Sequence, residues 1–162
     1  MCLIRNQVNS HEFRGFKSLL LRQIIEHNMT TIRNNEKLKD FVKNTLGCGC
    51  PEKVFEKIDV SRHLAVEHEK EVTRIVVGDT LLIYIIGPES YVNFIDRVES
   101  VGLAGKNDRD TNNYNRFRLV VSGFEDDVRQ REASERFSEL FKMDAKMHIH
   151  FVNQEMVEGL SW

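Results

Sequence analysis

The sequence predicts an α+β domain. Three observations carry that expectation. Apolar residues recur at helical spacing in several segments, β-branched runs bracket a Gly-Asp pair, and strand patterns alternate with helical ones only in the second half of the chain. With 162 residues, 41% of them hydrophobic and 30% charged, the chain has the composition of one globular domain.

The first 35 residues read as an N-terminal extension. Phe13, Phe16, Leu20 and Ile24 form an apolar stripe over 13–27, and the polar break around Asn28 contains Met29, an alternative start that would place the extension outside the native protein. The single α+β domain is expected over 36–152. It opens with a helix from Glu36 to Leu46, whose stripe is Leu38, Phe41, Val42 and Leu46. Gly47 is the expected stop, because glycine adopts the left-handed conformation cheaply. Pro51 is expected at the first position of a second short helix, with Cys50 as its N-cap and Val54, Phe55 and Ile58 as its inner face.

Strands are expected over Arg62–Glu67, Val72–Val77 and Thr80–Ile86, the last two joined at Gly78-Asp79 by a type II′ turn. A helix follows from Pro88, lined by Tyr91, Phe94, Ile95, Val98 and Val101 and ended by Gly102 and Gly105, with a polar loop over Asn107–Asn115. Arg116–Gly123 reads as a strand. Glu125, Asp126 and Asp127 open another helix, whose first-turn carboxylates suit the helix dipole, and Lys146–Val152 reads as the last strand. Residues 153–162 show no pattern and read as a tail. The arrangement expected is a helical hairpin followed by a largely antiparallel sheet with helices on one face. A ferredoxin-like variant fits this order first, a mixed α/β sheet second.

A net charge of −2 gives no basic excess for a nucleic-acid partner. Leu81–Ile86 is too short to span a bilayer. The apolar run Leu19–Leu21 is cut by Arg22, too early for a secretory leader, so a cytoplasmic location is expected, with no nucleic acid and no membrane as partner.

Chemistry concentrates in Gly47-Cys48-Gly49-Cys50-Pro51. Two thiols one residue apart at a helix start gain from its partial positive charge, which favours thiolate, the form that ligates metal and attacks disulfides. Cys48 and Cys50 are therefore candidate ligands of zinc or an iron–sulfur centre, or a redox pair whose small ring would be oxidising. Further ligands would come from His63, His148, His150, Cys2 or a second copy, a homodimer sharing a 2+2 cysteine site. The competing reading is a non-catalytic interaction or regulatory module that holds a protein partner, in which small residues merely shape a turn.

Strand alternation supplies a second candidate. Arg116 and Arg118 share one side of their strand, and His148 and His150 one side of theirs, with His63 able to join them. On an open face these would bind an anion or, through His-x-His, a metal; the ordinary reading is a solvated sheet face. No aromatic residues interleave for base stacking. No phosphate loop or hydrolase motif is present, and the sequence names no reaction.

Overall fold

The computed structural model describes residues 35–63, 72–87 and 93–160; the side chains of Arg62 and His63 are not among the described groups. The expected N-terminal helix, Met29, Cys2, the Leu64–Glu67 half of the first predicted strand and the Pro88 helix start lie outside these residues.

The class is α+β, built on one mixed five-stranded sheet in the order β1-β2-β3-β4-β5. The strands are β1 (Ile58–His63), β2 (Val72–Val77), β3 (Leu81–Ile86), β4 (Arg116–Ser122) and β5 (Met147–Val152). β1, β2 and β3 form an antiparallel meander, whereas β3, β4 and β5 run parallel. Helix α1 comprises α-helical residues 35–40 and the π-helical turn Phe41–Thr45. A 3-10 helix (Glu52–Glu56) follows, then α2 (Phe94–Thr111), α3 (Asp127–Leu140) and α4 (Gln154–Glu158).

The largely antiparallel sheet expected from the sequence is thus corrected to a mixed one. β3 leads to β4 through α2, and β4 to β5 through α3. A strand–helix–strand unit returns to the same end of the sheet and makes its strands parallel. Helices on one face only is corrected too. Val72, Val76, Leu82, Tyr84, Ile86, Phe117, Leu119 and Val121 pack against α2 and α3. The alternate residues Ile75, Val77, Leu81, Ile83, Ile85 and Val120 pack against Leu38, Phe41, Val42 and Leu46 of α1 and against Phe55. Covering both faces explains why all six residues of β3 are buried and apolar.

Local corrections have equally local causes. Gly102 and Gly105 do not stop α2, which runs on to Thr111. They are buried inside it because aromatic rings press on them. A Cβ on Gly102 would lie 2.9 Å from both Phe137 and Phe141, and one on Gly105 would overlap the Phe117 ring. Gly78 and Asp79 have φ of 58° and 50°. Two positive values mark a type I′ turn instead of II′, which Asp tolerates better than most residues. The C-terminal segment contains α4, and its Val157 and Leu160 join the α1-side core.

Candidate functional site

The Cys-Gly-Cys segment is held from both sides. On its N-terminal side α1 ends by folding back on itself, with Leu46 N–H donating to Phe41 C=O and Cys48 N–H to Val42 C=O. Gly47 takes φ +60°, as its expected stop role requires. On the C-terminal side, Pro51 is the N-cap of the 3-10 helix, so Cys50 precedes the cap and does not occupy it. Five residues of 3-10 helix do not supply the dipole argument made from the sequence. Instead, Lys39 and Lys43 of α1 both ion-pair with Glu52, and Lys43 sits over the Phe55 ring, 5.6 Å from its centroid. These contacts tie the two ends of the loop together.

Cys48 and Cys50 are joined by a disulfide, with Cα atoms 5.3 Å apart. The two sulfurs differ in environment. Cys48 is only 2% exposed and belongs to the α1-side core. Cys50 is partly exposed at its margin. Arg116 Nη1 lies 3.8 Å from Cys48 Sγ.

That contact joins the two features the sequence presents separately. Arg116 is the first residue of β4, and α1 packs on the face it shares with Arg118 and Val120. The pairing register sets Arg118 opposite His148 and Val120 opposite His150, so both histidines fall on this same face. The face is covered at Arg118 and Val120, half-covered at Arg116 and His150, and open at His148. Arg118 is 7% exposed. Its Nη1 donates to Phe117 C=O at 2.9 Å and Lys146 C=O at 3.2 Å, while its Nε is buried without a partner among the described residues. His148 Nε2 is 3.1 Å from Ala145 C=O. Nε2 of His150 is buried without a partner. Burial, then the nearby Arg118 charge, holds both imidazoles below their usual range, His150 down to about 4. Burial, reinforced by Arg116, also lowers the Arg118 guanidinium.

Among the described residues, no group of three or more His, Cys, Asp or Glu side chains is placed to hold a metal ion. His63 ends β1, three strands away from β4 in the sheet, and its side chain is outside the described groups.

Sequence reasoning missed the Lys39–Glu52–Lys43 clamp and the Arg116–Cys48 contact. The clamp was legible in part, since Lys39 and Lys43 are four apart on one helix face. The contact was not, because 68 residues separate its partners. No family model, curated protein or solved structure matches this chain.

Proposed function

We propose that the Cys48–Cys50 pair is a thiol–disulfide redox centre acting on a dithiol partner. The observation that carries this reading is the asymmetry of the two sulfurs: Cys50 is reachable, and Cys48 is buried beside a guanidinium.

The asymmetry assigns the order of events. An incoming thiolate attacks Cys50 Sγ, the exposed sulfur. The disulfide breaks, its electron pair goes to Cys48 Sγ, and a mixed disulfide forms on Cys50. The Arg116 guanidinium beside Cys48 stabilises the thiolate that leaves, and a thiol of lower pKa leaves faster. The partner's second thiol, once deprotonated, attacks its own bonded sulfur and releases Cys50 as a thiolate that takes a proton. Two electrons pass from the dithiol to the protein; of the two protons the dithiol loses, one goes to Cys50 and the other to solvent while Arg116 holds Cys48 as thiolate, and the reverse sequence reduces a partner disulfide. His148 and His150, held neutral near pH 7, add no competing charge to Arg116.

Trapping with a small thiol tests the assignment. In Cys48→Ser, Cys50 should form a stable mixed disulfide with glutathione. In Cys50→Ser, the buried Cys48 should alkylate at least about tenfold more slowly than Cys50 does in the reciprocal variant. Arg116→Met should slow reduction of the wild-type disulfide by dithiothreitol, by roughly three- to tenfold, through a poorer leaving group. Equal reactivity of the two cysteines, with no effect of Arg116→Met, would reduce the disulfide to a staple in a turn. Metal analysis of the reduced protein supplies the other decision. One zinc ion or iron–sulfur cluster per two chains, lost in the double serine variant, would replace the redox reading with a shared 2+2 site.

A further inference from the structure

Among the described residues, the half-buried Arg74 and the buried Arg109 are paired with carboxylates. Arg74 is bidentate to Asp108, at 2.7 and 3.1 Å. Arg109 donates to Asp144 at 2.6 Å and to Asp110. Arg118 is the exception. It is as deeply buried as Arg109, yet its only acceptors among the described residues are the two backbone carbonyls of Phe117 and Lys146. No carboxylate among the described residues reaches it. What faces it is further positive or protonatable charge: Arg116 two residues before it on β4, His148 directly across on β5, and His150 one step along the same face.

A guanidinium cannot relieve such a position by losing its proton, as a lysine or histidine would. Burying an uncompensated charge is strongly unfavourable, and an orphaned buried N–H adds to the penalty. Two buried polar nitrogens, Arg118 Nε–H and His150 Nε2, lie on this face without partners among the described residues, and His150 Nε2 is a donor in the tautomer that places the ring proton there. A fixed positive charge with an unpaired guanidinium N–H, beside an imidazole nitrogen that can carry a second N–H, describes the complement of an oxyanion.

We propose that Arg118 and His150, flanked by His148 and Arg116, form a binding site for the oxyanion of a small ligand, a carboxylate or a phosphate. The site adjoins the disulfide through Arg116 but does not depend on thiol chemistry. A carboxylate or phosphate seated there neutralises Arg118 and supplies the acceptors that its Nε and the His150 ring lack. It also places the rest of the ligand near the Cys48–Cys50 loop.

The test uses the full oxidised chain with inorganic phosphate, sulfate and acetate, each compared with chloride at matched ionic strength. Thermal unfolding and the ring resonances of His148 and His150 are followed. A saturable rise in unfolding midpoint with at least one oxyanion, accompanied by shifts of the His150 ring, is expected. Saturation by phosphate at a tenfold or lower concentration than acetate assigns a phosphoryl ligand, and the opposite order a carboxylate. Arg118→Met should unfold at a higher temperature than wild type without anion, because an uncompensated charge is gone, and should lose the anion response. Arg118→Lys keeps the charge without the fork and should bind at least tenfold more weakly, which keeps the proposal testable if the methionine variant does not fold. The Cys48→Ser, Cys50→Ser double variant should respond as wild type does, separating this site from the redox reading. No saturable response beyond chloride in wild type, or an undiminished response in both Arg118 variants, overturns the proposal.

Discussion

Arg116 and His150 show how much a single side chain inherits from its neighbours. Arg116 would be an ordinary strand-end arginine on an open sheet; beside Cys48 it becomes a charge that can tune a sulfur. His150 carries the clearest consequence for pH. Burial and the Arg118 charge bring it from 6.5 to about 4 in the folded protein. The folded state therefore prefers the neutral ring, while the unfolded chain takes up a proton near the ordinary value. The stability this contributes is complete above pH 6.5 and is lost as pH falls through about 4. Urea midpoints measured between pH 7 and pH 4 should decline, and the decline should be shallower in His150→Gln than in wild type. Parallel slopes in the two proteins would show that other groups control the acid limb.

At the scale of elements, α2 depends on two glycines that a propensity argument would remove. Alanine in place of glycine inside a helix ordinarily gains up to about 1 kcal/mol. At Gly105 the outcome reverses, since the new Cβ would overlap Phe117, a fully buried residue of β4. Gly105→Ala should destabilise the protein by about 1–3 kcal/mol, the usual range for overpacking. The double variant Gly105→Ala, Phe117→Leu should recover part of the loss, as read from denaturant unfolding. A neutral or stabilising Gly105→Ala would mean that α2 can lift off β4 without cost. The Cys-Gly-Cys loop is likewise an element-level object. Its ends are set by the π-turn of α1 and by the 3-10 helix, and Glu52 bridges both through Lys39 and Lys43.

Across the whole molecule, one polar network ties β2 and β3 of the sheet to α2. Arg74 of β2, Tyr84 of β3 and Asn112 after α2 all donate to the Asp108 carboxylate of α2, and Arg74 also reaches the Tyr114 hydroxyl. Burial alone would raise the Asp108 carboxyl, but the hydrogen bonds from Arg74 and Tyr84 outweigh it and hold the group below its ordinary value. Asp108→Asn leaves Arg74 with only the exposed Asp59 carboxylate, 3.7 Å away, as counter-charge and should lower stability by about 2–4 kcal/mol. Replacing the pair together, Arg74→Met with Asp108→Leu, should cost markedly less than Asp108→Asn alone. Additive losses would show that the pair contributes through packing only. Described helices include none long and apolar enough to cross a membrane.

The sequence by itself determined the α+β class, most strand positions and the residues of interest. Apolar runs, alternation and periodicity are local properties: Leu81–Ile86 carries the first, Phe117–Leu119 with Val121 the second and the α1 stripe the third. Gly47 as the end of α1 was also legible, because one residue's φ decides it. Strand direction was not. Polar residues at Arg116, Arg118, His148 and His150 imitate an exposed antiparallel face. Only the crossovers through α2 and α3 make β3, β4 and β5 parallel, and only α1 packing back on the sheet covers the other side. The glycines of α2 misled for the same reason, since the rings that require them come from β4, α3 and Phe141 just after it. Tertiary structure alone decided that Arg116 meets Cys48 and that Arg118 lies buried with no carboxylate among the described residues against it. Both depend on how a loop near residue 48 and a strand near residue 118 stack across layers, and no local pattern encodes that distance.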